Sequence, residues 1–164
     1  MSKPTQDKTF WQQRIKEQGG VEGGMAVGFM WHKIDPLHLQ YIRKNTLPHH
    51  KVLDAGCGYG RTAHWFSDEQ YTGVDFLEEF IEEAKKRNPT KKFLVADLEK
   101  LPFGDLEFDW GVLISVRVVI RSDPKGEEKW KKVEKELKRV CGKLMILEYG
   151  NSEPAEIIKA FEII

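Results

Sequence analysis

Three short apolar runs in this chain each stop at an aspartate. The runs are Val52–Asp54, Tyr71–Asp75 and Lys92–Asp97, and the aspartates fall 21 and 22 residues apart. Between the second and third lies FLEEFIEEAKKR, where Phe76/Leu77, Phe80/Ile81 and Ala84 recur at helical spacing. The alternation continues through a fourth apolar run, Phe108–Val116, the segment GEEKWKKVEKELKRV, and a fifth run, Gly142–Gly150. In that segment Trp130, Val133, Leu137 and Val140 fall at i, i+3, i+7 and i+10, one face of a helix. Near-continuous apolar strands joined by helices predict an α/β fold: a doubly wound parallel sheet of about five strands, with helices on both faces. Ligands of such sheets bind at the carboxyl ends of the strands. The three aspartates therefore share the edge where a ligand would sit.

The flanking segments are read more coarsely. Asp7 caps a helix over 8–18 that ends at Gly19-Gly20. GGVEGGMAVGFMWHK then reads as a glycine-rich lid, with Phe29, Met30 and Trp31 placed to cover a ligand. Asp35-Pro36 reads as an N-cap followed by Pro at the first helical position. Residues 61–67 read as a helix, as does the closing PAEIIKAFEII. The expected organisation is a helix-and-lid segment over 1–34 and a binding core over 35–164.

The loop after the first strand, DAGCGYG, carries glycines at 56, 58 and 60. They allow a tight turn and a close approach of backbone to ligand. Asp75 stands where a carboxylate accepts from both ribose hydroxyls. Asp97 is suited to accept from an exocyclic adenine amine. Asp54 repels a diphosphate but suits a ligand bearing a sulfonium and an ammonium. A dinucleotide is disfavoured for a second reason: its fingerprint is G-x-G-x-x-G, and position 61 is Arg.

DAGCGYG, GVDFLEEFIEEAKKR, FLVADLEKLPFGDLEFDWGVLIS and ELKRVCGKLMILEYG, in this order, resemble the class I S-adenosyl-L-methionine-dependent methyltransferases of the small-molecule, ubiquinone-biosynthesis-type branch. The resemblance covers about residues 35–150 and implies a Rossmann-like fold and a cofactor converted to S-adenosyl-L-homocysteine. It also implies roles by position. Gly56 and Gly58 line the methionine moiety, with Asp54 near its ammonium. Asp75 holds the ribose and Phe76 borders the adenine. Asp97 receives the adenine amine, and the Leu98 N–H meets a ring nitrogen. Ile114 offers its carbonyl to the ammonium.

The acceptor is less legible. The stretch SVRVVIRSDP lacks the Pro-Pro-Tyr motif of enzymes acting on adenine or glutamine amines. Arg117 and Arg121 suit an anionic acceptor, or else pair with carboxylates. His32, in the lid, is the histidine best placed to approach an acceptor. His38, His49, His50 and His64 read as helix or surface residues. No catalytic acid–base pair is assigned, and methyl transfer requires none unless the acceptor must lose a proton.

Composition narrows the partners. Lys+Arg and Asp+Glu both total 26, so the net charge is zero, which argues against nucleic acid. The two cysteines, 57 and 141, match no metal or redox spacing, and no metal site is expected. No run reaches the roughly 18 apolar residues of a membrane span. The expected location is cytoplasmic.

Family members usually add an antiparallel hairpin after the fifth strand. The chain reads as lacking it, which would leave LMILE as a bare edge. A homodimer or a partner covering that edge is the corresponding expectation. Three functions are carried forward: a small-molecule methyltransferase, a cofactor-binding subunit without turnover or dependent on a partner, and an RNA or protein methyltransferase.

Overall fold

The computed structural model describes residues 7–21, 31–148 and 162–163. Helix α1 spans Lys8–Glu17 and helix α2 Trp31–Asn45. Strand β1 is Val52–Ala55, followed by a 3-10 turn at Ala63–Trp65. Then come β2 (Tyr71–Asp75), α3 (Glu78–Arg87), β3 (Lys92–Val95) and β4 (Phe108–Ile114). The remaining elements are α4 (Val116–Arg121), α5 (Gly126–Val140), β5 (Cys141–Leu147) and β6 (Glu162–Ile163).

The sheet has the order β3-β2-β1-β4-β5-β6. β1 to β5 are mutually parallel, as the apolar runs predict. The chain winds outward from β1 to β3, then crosses back to β4 on the other side of β1. That reversal falls between β1 and β4, whose carboxyl ends are the usual ligand position in such sheets.

Alternate residues face opposite layers. Leu53, Leu113, Leu144 and Ile146 pack with Trp130, Val133, Leu137 and Val140 of α5. Val52, Val112, Met145 and Leu147 pack on the other face with Ile42 of α2 and Ile81 and Ala84 of α3. The α5 stripe read from the sequence is thus the buried face of that helix. Gly126 opens α5 where a Cβ would run into the carbonyl oxygen of Ile120 and come within 2.6 Å of Arg121 Cα. Both are backbone atoms. Gly126→Ala is therefore expected to cost about 2–3 kcal/mol, an overpacking cost read by urea denaturation.

Several expectations are corrected. Helix α2 begins at Trp31, so Pro36 lies inside it rather than at its first position. At the sixth helical position proline forgoes the backbone bond that an N–H there would make to the carbonyl four residues earlier. Residues 61–67 form a short 3-10 turn held by Ala63 to Gly60, Trp65 to Thr62 and Phe66 to Ala63 bonds. The fourth strand stops at Ile114 because Ser115 adopts a left-handed backbone, φ +60°. The closing helix expected over 154–164 does not hold at its end: Glu162–Ile163 is a strand, antiparallel to β5. Met145 and Ile146 are therefore paired, not a bare edge. Of the glycine-rich lid read over 19–33, residues 31–33 belong to helix α2 and 22–30 lie outside the described residues.

The N-terminal helix forms as read. The Asp7 carboxylate accepts from the Phe10 N–H at 3.0 Å, and the helix ends before Gly19, φ +77°. It lies against α3: Gln12 Nε2 donates to Glu79 Oε1 at 2.6 Å, and the Trp11 and Phe80 rings meet edge to face.

Candidate active site

The glycine loop is anchored to β2 by its own backbone. The Gly56 and Cys57 N–H groups both donate to Val74 O, at 2.8 and 2.9 Å. Gly56, Gly58 and Gly60 all have left-handed backbones, with φ of +81°, +54° and +71°. At Gly56 a Cβ would sit 2.6 Å from Val116 Cγ2, so glycine is what lets the β1 loop and the end of β4 meet. At Gly60 it would meet the Phe93 ring at 2.8 Å.

Asp75 closes the loop from the other side. Its Oδ2 accepts from the Gly58 N–H and its Oδ1 from the Leu77 N–H, both at 3.0 Å. The residue is 6% exposed. Burial pushes its carboxyl up to about 6, against the opposing pull of the Leu77 and Gly58 N–H groups. The ordinary value is 3.8, so between about 4 and 6 the folded chain holds a proton that the unfolded chain releases. Stability contributed by this group is therefore greatest at low pH and declines as pH rises through that window, by up to about 3 kcal/mol. Asp75→Asn is expected to abolish this component. Urea midpoints of wild type and variant at pH 4.5 and 7 measure it.

Asp54 lies under the loop, 3% exposed. Its Oδ2 accepts from the Tyr71 hydroxyl at 2.8 Å and the Thr62 hydroxyl at 3.0 Å. Burial raises its pKa, and the Tyr71 and Thr62 hydroxyls oppose the rise. Burial raises the Tyr71 pKa as well, so the phenol stays protonated and donates. The carboxylate thus ties β1, the loop exit and β2 together.

The other expected residues reach the same edge. β2 and β3 pair with Asp75 opposite Val95, and the Ala96 N–H donates to Asp75 O at 2.9 Å. Asp97 follows in an exposed turn, its Oδ1 accepting from the Glu99 N–H at 2.9 Å. Leu98 packs its side chain onto the core. Phe76, beside Asp75, is 37% exposed, unusual for a ring that size. Ile114 ends β4 opposite Leu147.

The arginines both have carboxylate partners. Arg117 makes a two-point contact with Glu148, Nε to Oε1 at 3.3 Å and Nη2 to Oε2 at 3.0 Å, and both side chains are largely buried. Its guanidinium also stands 6.0 Å from the Trp130 ring centre. Arg121 pairs with Glu127 in the open, at 2.8 Å. His32 falls in the first turn of α2, and its side chain lies outside the described residues.

Sequence reasoning missed Tyr71, Thr62, Glu148 and Ser115. Ser115 combines a left-handed backbone with a hydroxyl that is buried without a partner among the described residues. The strain costs about 1–3 kcal/mol. The unpaired hydroxyl costs a similar amount, about 1–3 kcal/mol. Among the described residues, no group of three or more His, Cys, Asp or Glu is arranged to hold a metal, and no helix is long and apolar enough to cross a membrane.

The family described as "Methyltransferase domain" matches residues 52–142. A malonyl-[acyl-carrier protein] O-methyltransferase of Erwinia pyrifoliae is 37% identical over 65 residues, which cover 36% of this chain and 23% of that protein. The matched stretch is thus under a quarter of that relative's length. A protein of Pyrococcus horikoshii OT3 superposes with a TM-score of 0.57 at 28% identity, covering 72% of this chain and 56% of the other. A SAM-dependent methyltransferase of Methanosarcina mazei superposes at 0.58 and 25% identity, covering 73% and 62%. The [4+2]-cyclase SpnF shares the fold alone, with a TM-score of 0.64 at 18% identity over 94% of this chain and 64% of the other.

Proposed function

We propose that this chain, which belongs to the methyltransferase-domain family, binds S-adenosyl-L-methionine and transfers its methyl group to a small-molecule acceptor. One observation carries the reading: the Asp75 carboxylate, buried at the end of β2 and bonded to the glycine loop through Gly58. A carboxylate accepts and does not donate, and it has about four accepting positions. The Gly58 and Leu77 N–H groups leave capacity for the ribose hydroxyls. Two buried carboxylates beside the loop, Asp54 and Asp75, also fit a cationic ligand and repel a diphosphate.

The remaining roles follow the edge. Phe76 borders the adenine, Asp97 receives its amine, and the Leu98 N–H meets a ring nitrogen. Gly56 and Gly58 line the methionine end. The Ile114 carbonyl accepts from the ammonium, while Asp54, engaged by Tyr71 and Thr62, acts on it through its charge. When bound, the cofactor supplies an activated methyl group on a sulfonium. The protein's contribution is to align the acceptor, which proximity alone makes effective. Product is S-adenosyl-L-homocysteine. Any homodimer or partner on the β5 side would meet β6, which covers Met145 and Ile146.

The acceptor we favour is anionic. The Arg117 guanidinium is held at two points by Glu148, so an anionic acceptor would compete with that carboxylate for it. The name of the Erwinia relative points to a carboxylate. Labelled-methyl transfer to malonyl-thioester, free carboxylate, RNA and protein pools tests the class. We expect label in the carboxylate pools, a tenfold or larger rise in acceptor KM for Arg117→Ala, and no change for Arg121→Ala. Cofactor binding without transfer to any pool would favour the non-catalytic reading.

Cofactor affinity should also depend on pH. Ribose hydroxyls donate to the ionised form of Asp75, so binding weakens as pH falls through about 6. Below that point the loss is about tenfold per pH unit. Asp75→Asn should flatten the profile in calorimetry.

A further inference from the structure

We infer that Arg139 and Glu136 are a positioning pair for the nucleobase: together they fix the turn from which Asp97 and Leu98 meet the adenine. The inference rests on the cofactor reading above and gives both residues a role exerted through that turn.

The connection from β3 to β4 runs over 96–107 and contains no helix. Parallel crossovers usually carry a helix, which satisfies its own backbone groups. Here side chains of α5 take over part of that role. Leu101 is gripped at both of its backbone groups. Its N–H donates to Glu136 Oε1 at 2.8 Å, and its carbonyl accepts from Arg139 Nη2 at 3.2 Å. Arg139 Nη1 donates to Phe103 O and to Asp105 Oδ1, both at 2.9 Å. The two α5 side chains also lock each other, Nε to Oε2 at 2.9 Å and Nη2 to Oε1 at 2.6 Å. A guanidinium presents its donors in one rigid fork, so a single side chain holds Leu101, Phe103 and Asp105 at once.

The clamp begins directly after the turn. The Lys100 N–H donates to Asp97 O at 3.0 Å and the Glu99 N–H to Asp97 Oδ1 at 2.9 Å, closing a turn over 97–100. Its leading end is tied to β2, where the Ala96 N–H donates to Asp75 O at 2.9 Å. Its trailing end is Leu101, buried and clamped to α5. Asp97 and Lys100 themselves are exposed. An exposed turn between two buried anchors takes its position from them. With the Leu101 anchor released, the turn keeps its internal bonds but loses one fixed end. The groups that shift are then the Asp97 carboxylate and the Leu98 N–H.

The test compares two ligands that differ only at the edge of the base. S-inosyl-L-homocysteine has a carbonyl where adenine has its amine, and an N–H where adenine has an accepting ring nitrogen. It therefore gains nothing from a well-placed Asp97 or Leu98 N–H. Affinities for S-adenosyl-L-homocysteine and S-inosyl-L-homocysteine are measured by calorimetry on wild type, Arg139→Ala and Arg139→Lys, with urea midpoints alongside. Wild type should prefer the adenosyl ligand by about tenfold or more, the weight of one hydrogen bond to a charged group. Arg139→Ala should lose about fivefold or more of its adenosyl affinity and stay within about twofold of wild type for the inosyl ligand. Arg139→Lys keeps the charge beside Glu136 and Asp105 but not the fork. It should show the same selective loss, and it carries the test if Arg139→Ala does not fold. Equal loss of both ligands in Arg139→Lys, or loss of neither, overturns the inference while leaving cofactor binding standing. A wild type that binds both ligands equally well removes the base-reading role of the turn, and the inference with it. A wild type that binds neither ligand overturns the proposed function as well.

Discussion

Gly56→Ala should lower stability by about 2–5 kcal/mol and take cofactor affinity below detection. Two independent effects add. At φ +81° an alanine Cβ crowds its own backbone, a cost of about 1–2 kcal/mol. The same Cβ would lie 2.6 Å from Val116 Cγ2 and 3.4 Å from Cγ1. Valine is stiff about χ1, so it does not swing aside cheaply, and overpacking of this kind costs about 1–3 kcal/mol. Relief must come from separating the β1 loop from the end of β4, the two elements that the proposed cofactor would bridge. Adding Val116→Ala should restore the packing share of the stability but not the backbone share. Urea denaturation of the single and double variants, with calorimetry against S-adenosyl-L-homocysteine, measures both. Unchanged stability in Gly56→Ala would contradict the contact with Val116.

Asp75→Ala should weaken cofactor binding by about a hundredfold or more. On the proposed role of Asp75, two hydrogen bonds from ribose hydroxyls to a charged acceptor are lost, each worth about 1.5–3 kcal/mol. The fold should tolerate the change at neutral pH. The Gly58 and Leu77 N–H groups lose their acceptor, but a buried charge, disfavoured by burial, goes with it. Binding and stability therefore separate in this variant, whereas in Gly56→Ala they fall together. Circular dichroism and calorimetry on one preparation distinguish the two patterns.

The edge of the site was legible because strand ends are marked in the sequence. Asp54, Asp75 and Asp97 each stop an apolar run, and parallel strands bring such ends to one side. The α5 face was legible for the same kind of reason, since Trp130, Val133, Leu137 and Val140 keep a helical period. What Asp54 does there was not legible, because it depends on register. β1 pairs with β2 so that Asp54 faces Gly73. Tyr71, two residues earlier, shares that face, and a Cβ on Gly73 would lie 2.7 Å from its hydroxyl. Gly73 thus opens the path by which Tyr71 reaches Asp54, a relation between residues on two strands that no single run displays.

Ser115 was hidden differently. A serine after an apolar strand reads as the start of a loop, and nothing in its neighbours signals a left-handed backbone. Strand β6 was hidden because FEII fits helix and strand equally, and a two-residue pairing with Met145 and Ile146 is decided by tertiary contact. The 3-10 turn at Ala63–Trp65 shows the same override. Ala63 and Phe66 are buried, a spacing of three that fits either helix type.

The central claim is that the edge built from Asp54, Gly56, Asp75 and Asp97 holds a cationic, methionine-bearing nucleoside and not a dinucleotide. Titration of the wild-type chain with S-adenosyl-L-homocysteine and, separately, with NADH at pH 7.5 tests it most directly. The account predicts saturable binding of S-adenosyl-L-homocysteine at one site and no measurable heat from NADH. Saturable binding of NADH with none of S-adenosyl-L-homocysteine would contradict it.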